Sequence, residues 1–242
     1  MAMGKEIGLA LALVLVSGAA TAAEDMGTPH ATPLIFSKMR SDQDLSIVGG
    51  EIAFTWETDI WVGGDYHKGW LKTEGEIEEG ALHEAEVELL YSRYLAKFFD
   101  VQIGVRHDFK PDGAGQTTYG VIGIQGLAPY RFEVDAALFF SEHGDVAFRA
   151  ELEYFLWLTQ RLVVQPYFEA DLWLTRNSVM GLAAGLAEID SGVKILYEVR
   201  REFAPYIDLN VVRTLGSAKS NAILLGERVK DFAVRVGARV IF

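Results

Sequence analysis

The chain has no cysteine, so no disulfide supports the fold, and stability must come from a packed core or from burial in lipid. It also lacks any apolar run of 18 or more residues after Ala23. No transmembrane helix is therefore available, and a membrane location would require a closed barrel. Basic charge is scarce: 22 Lys and Arg stand against 34 Asp and Glu, a formal net charge of −12. That balance argues against nucleic acid as a partner and is compatible with attraction of cations. Metal-capable side chains are also few, with 5 His and 5 Met in 242 residues.

What is present begins with MAMGKEIGLALALVLVSGAATAA. Lys5, the apolar run from Ile7 to Val16, and Ala20 and Ala22 in an A-x-A arrangement predict a secretory signal peptide over 1–22. No Cys follows the small residues, so a lipoprotein anchor is not indicated. Residues 23–48 are polar and broken by Pro29 and Pro33, which predicts a flexible N-terminal segment. From 49 to 242 apolar and polar residues alternate, run after run, as expected of β-strands with two different faces.

The alternation predicts an all-β, antiparallel, up-and-down transmembrane β-barrel of about 10 strands, near 67–77, 83–94, 99–109, 116–127, 129–140, 145–157, 161–174, 187–199, 203–215 and 231–242. Eight or twelve strands are alternative counts, and the stretch 49–66 is the candidate for an added hairpin. Long and short connections alternate, as extracellular loops and periplasmic turns do in outer-membrane barrels. The runs are about twice the usual soluble strand of roughly 5 to 6 residues, and aromatics of the apolar parity gather at both strand ends. The chain closes on FAVRVGARVIF, with Phe232, Val234, Val236, Val240 and Phe242 on one face. A terminal outward Phe resembles the C-terminal signal of outer-membrane proteins.

The opposite parity is charged, and in a barrel it lines the lumen. Its acids include Glu74, Glu86, Glu88, Asp108, Glu133, Asp135, Glu151, Glu153, Glu169 and Asp171, and its bases include Arg106, Arg149, Arg235 and Arg239. Acids outnumber bases, so pairing across strands would fill the lumen with salt bridges and leave carboxylates over to hold or guide cations. The metal-capable candidates are His67, His83, His107 and His143, since imidazole beside carboxylate suits Cu(II). His107 has the outward parity and would enter the lumen only at a bulge. No catalytic dyad is evident, because Ser92 faces inward and His107 outward; the expectation is that the protein is not an enzyme.

Five stretches resemble the copper resistance protein B family, the CopB and PcoB outer-membrane proteins: WVGGDYHKGWLKTEGE (61–76), LLYSRYLAKFFDVQIGVRHDF (89–109), GIQGLAPYRFEVDAALF (123–139), LTQRLVVQP (158–166) and YEVRREFAPYIDLN (197–210). The resemblance implies a bacterial outer-membrane location and a role in copper binding or passage, with copper ion as ligand or cargo and no organic cofactor. It also implies outer-membrane lipid as surroundings, a monomer, and a periplasmic copper-handling protein as a partner. Family members often carry a Met- and His-rich segment ahead of the barrel, and here only Met26, His30 and Met39 correspond to it. An accessory barrel with a salt-bridged, closed lumen that docks such a partner is the alternative reading.

Overall fold

The computed structural model describes residues 34–48, 51–78, 80–110, 116–177, 181–225 and 229–242. The strands are β1 Phe36–Val48, β2 Glu51–Gly63, β3 His67–Glu78, β4 Ala81–Ala96, β5 Phe99–Phe109, β6 Thr117–Ala128, β7 Phe132–Ser141, β8 Val146–Tyr154, β9 Leu156–Trp157, β10 Leu162–Trp173, β11 Gly185–Tyr197, β12 Phe203–Thr214 and β13 Lys230–Ile241, with a helix α1, Gly216–Leu225, between β12 and β13. Each strand pairs antiparallel with its sequence neighbour, and β1 pairs with β13, so the sheet is a closed ring without an edge. Two-residue β9 continues β8 along β10. The ring therefore has twelve strands.

That count corrects the expected ten. All ten runs read from the sequence are strands, and the two added are β1 and β2. The stretch 49–66 supplies β2. Strand β1 falls within 23–48, read from the sequence as flexible, so the barrel begins at Phe36 rather than at 49. Its outward parity carries Ser41 and Gln43 at mid-strand, which hides the alternation. Closure nevertheless enlists it: Met39 N–H donates to Phe242 O at 2.7 Å and Phe242 N–H to Met39 O at 2.9 Å. The signal peptide over 1–22 lies outside the described residues.

Phe36 and Phe242 lie at one end of the barrel, here the terminal end, where the connections 64–66, 97–98 and 129–131 are tight. Three residues other than glycine, Phe98, Tyr130 and Arg131, take positive φ in those turns. At the opposite loop end β5 stops at Phe109, β6 starts at Thr117, β10 stops at Trp173, β11 starts at Gly185, and α1 follows β12. Outward positions are apolar and exposed, among them Ile103, Ile122, Ile207, Leu209, Val234 and Val236. Exposed rings cluster at both ends of this belt: Tyr91, Phe132, Tyr197, Phe203 and Phe242 at the terminal end, and Phe109, Phe140 and Phe232 at the loop end.

Inside, polar and charged side chains fill much of the ring, around a buried apolar cluster of Leu90, Tyr119, Val121 and Phe139. The inward faces of β1 and β10–β13 pack most tightly, with Asp42, Gln165, Asp208 and Asn210 at most 2% exposed. Tyr167 and Tyr206 lie against the backbone at Gly192 and Gly237, where a Cβ would collide with the ring. Glycine there lets each ring lie flat and carry its hydroxyl to a buried acid: Tyr167 donates to Asp208 at 2.9 Å and Tyr206 to Asp44 at 2.8 Å.

Candidate functional site

Among the described residues two chambers lie in the lumen. The terminal-end chamber measures about 410 Å³ and is lined by Trp61, Trp70, Leu90, Val121 and Phe139 together with charged groups. The loop-end chamber measures about 1040 Å³ and is roofed in part by Ala218, Asn221 and Ala222 of α1. Glu57, Glu74, Glu86, Arg149, Glu151 and Glu153 line both, and so form the partition between them.

Strand alternation puts these charges in the lumen, and ring closure brings them together. Arg149 on β8 reaches Glu74 (2.8 Å) and Glu86 (3.2 Å) on the far wall and Glu169 (3.1 Å) and Asp171 (2.9 Å) on β10 beside it. Arg106 pairs with Glu86 and with Asp108 at 2.7 Å, lies 3.9 Å from Glu88, and stacks over Phe139 with its guanidinium 4.8 Å from the ring centre. Arg40 on β1 crosses to Glu153 on β8 at 3.1 Å while holding Glu57 (2.7 Å) and Asp59 (3.1 Å). Lys72 on β3 crosses to Asp135 on β7.

The most buried pair is Arg239 with Asp42. Nε and Nη2 of Arg239 donate to the two carboxylate oxygens at 2.6 Å each, and Nη1 donates to Gln165 at 2.8 Å. Lys194 adds a second cation to Asp42 at 2.9 Å. Bidentate pairing, with each of the three guanidinium nitrogens donating, is the arrangement in which a buried ion pair recovers its desolvation cost.

Towards the loop end the balance changes. Among the described residues the lining of that chamber contains 15 Asp and Glu against 4 Lys and Arg. Among the described residues Glu76 and Glu188 make neither an ion pair nor a hydrogen bond, and Glu84 has only Lys110 at 3.8 Å. Asp44 and Asp190 are held by neutral donors, Tyr206 and Asn210. Carboxylates in excess around a cavity give a negative potential that attracts cations.

Of the lumenal residues expected from parity, Glu74, Glu86, Glu88, Glu133, Asp135, Arg149, Glu151, Glu153, Glu169, Asp171 and Arg235 line the chambers, and Arg106, Asp108 and Arg239 are engaged in the ion pairs and hydrogen bonds of the barrel interior. Glu133 and Glu151 have no ion-pair partner among the described residues.

The four histidines are not brought together. His83 lines the loop-end chamber, with Nδ1 3.8 Å from Glu78. His67 is on the outward face at the terminal end, bonded to the Tyr91 hydroxyl. His107 also stays outward, bonded to Thr118 Oγ1 at 2.9 Å and packed edge-on against Phe109, because the ladder shifts occur elsewhere. His143 sits exposed in the 142–145 turn. Among the described residues no three His, Asp or Glu side chains are gathered in a preformed metal site.

Sequence reasoning missed Arg40, Asp42, Asp44, Glu57 and Asp59, which all lie on β1 and β2. Their signal was the inward parity of Lys38, Arg40, Asp42 and Asp44, which becomes legible once β1 is taken as a strand.

Comparisons with known proteins agree with this architecture and add an identity. The KdgM porin superposes with a TM-score of 0.51 at 12% identity, and the NanC porin with 0.54 at 11%, each over 85% of this chain and 99% of its own. At such identities the likeness concerns the fold alone. The Copper resistance protein B of Escherichia coli is 37% identical over 78% of this chain, and the Copper resistance protein B homolog of Pseudomonas syringae pv. tomato 35% identical over 78%. These matches span 63% and 64% of those relatives' own lengths. Residues 38–242, nearly the whole barrel, match the family described as Copper resistance protein B precursor (CopB). The chain belongs to the copper resistance protein B family.

Proposed function

We propose that this protein is an outer-membrane barrel of bacterial copper resistance, and that its loop-end chamber takes up copper ions to bind them or let them pass. The observation that carries the reading is the carboxylate excess of that chamber, 15 to 4, inside a barrel of a copper-named family. The outward apolar belt with rings at both ends suits a bilayer, with the terminal end towards the periplasm and the loop end outside. Copper is cargo in this reading, met by carboxylate oxygens and by His83, which lines the chamber, a donor set that favours Cu(II) over Cu(I). The barrel works as a monomer, without an organic cofactor or a catalytic step.

The test is a flux assay with refolded protein in liposomes, following Cu(I), Cu(II), Zn(II) and an uncharged sugar. Copper entry without sugar entry supports passage; copper retained by the protein without entry supports binding. Neither entry nor binding would overturn the reading. A second reading, an accessory barrel that docks a periplasmic copper-handling protein, is favoured by the pairs that bridge the lumen, Arg149 to Glu74 and Arg40 to Glu153.

A further inference from the structure

Among the described residues Arg149 is the one cationic side chain that lines both chambers; Arg40, which lines the terminal-end chamber, also holds the partition acids Glu57 and Glu153. The contacts of Arg149 divide by atom. Nε, near the root of the guanidinium, is held by Glu169 and Asp171 on the adjacent β10. Nη1, at the tip, is held by Glu74 and Glu86 on β3 and β4, five and four strands away round the ring of twelve. Glu74 and Glu86 are themselves direct cross-strand partners, and two carboxylates so placed repel unless a cation lies between them.

We propose that Arg149 is a tethered cation that shuts the passage between the two chambers, and that a free cation advances by taking its place on Glu74 and Glu86. The root contacts keep the guanidinium satisfied on its own wall while the tip lets go, so opening strands no buried charge. The exchange replaces one positive charge by another between the same carboxylates, and an anion gains nothing from it. This rests on the proposed cation-conducting role for the nature of the cargo, while the gate itself can be tested with potassium alone.

The experiment is single-channel conductance in planar bilayers bathed in KCl. The wild type is expected to conduct poorly. Arg149→Gln should raise conductance severalfold and increase preference for K⁺ over Cl⁻, and Arg149→Lys, which keeps a tethered charge without the fork, should fall between the two. Replacing Glu74 and Glu86 together by Gln should also raise conductance while lowering cation preference, and this variant carries the test if Arg149→Gln does not refold. A folded Arg149→Gln barrel, verified by heat-modifiable migration, with wild-type conductance and selectivity would overturn the gate. Potassium passing through the opened variant without copper would leave the gate standing and remove the copper reading. Copper flux in the wild type with no change in any variant would do the reverse.

Discussion

The two chambers are built from the same alternating strands and yet differ in how their charges are settled. At the terminal end and in the partition, Arg40, Lys68, Lys72, Arg106 and Arg149 meet nearly every acid, Glu133 and Glu151 excepted, and aromatic rings fill the space between. At the loop end, among the described residues, Glu76 and Glu188 pair with no Lys or Arg, Glu84 has only the distant Lys110 at 3.8 Å, and Glu78 lies 3.8 Å from the His83 imidazole. Paired charges brace a closed ring; unpaired charges at a mouth attract what the protein does not itself supply. The gradient runs along the barrel axis, so one lumen combines a braced part and a receptive part.

Substitutions should separate the two. Arg239→Leu leaves Asp42 with Lys194 alone in the most buried part of the wall, and is expected to cost about 3–5 kcal/mol, read as a lowered urea midpoint of the refolded barrel. Gly237→Val forces a side chain into Asp44 and the Tyr206 ring and should lose about 1–3 kcal/mol by the same measurement. Lys72→Gln, on the paired side, should cost about 1.5–3 kcal/mol and leave copper binding unaltered. Replacing Glu76 and Glu188 together by Gln should do the opposite, weakening Cu(II) binding severalfold at an unchanged urea midpoint. His83→Ala should weaken Cu(II) binding by a smaller factor, whereas alanine at His67, His107 or His143 should leave the titration as it was. Were Lys72→Gln to impair copper binding as much as the Glu76 and Glu188 pair, the distinction between the chambers would fail.

Much of this was legible before any coordinates. Ten strands were readable because each keeps a two-residue period over enough length to show it, and the inward charges followed from that period. Even the outward place of His107 was a matter of parity. Strand β1 was not readable, because Ser41 and Gln43 interrupt its apolar face and its pairing partner β13 comes at the other end of the chain. With β1 went Arg40 and Asp42 and the ion pairs they make. The pairings themselves were out of reach for a different reason: Lys72 and Asp135 are 63 residues apart, and Lys194 and Asp42 are 152 apart. Only the closure of the ring and the width of the lumen decide which acid a given base can touch. The excess of acid was visible in the composition; its concentration at the loop end was not.

The most direct test of this account is an equilibrium titration of Cu(II) into the refolded barrel, comparing wild type with the variant carrying Gln at both 76 and 188. The account predicts saturable binding in the wild type and severalfold weaker binding in the variant, with both proteins equally folded. Equal binding by the two, or none by the wild type, would contradict the assignment of the loop-end chamber as the place where copper enters.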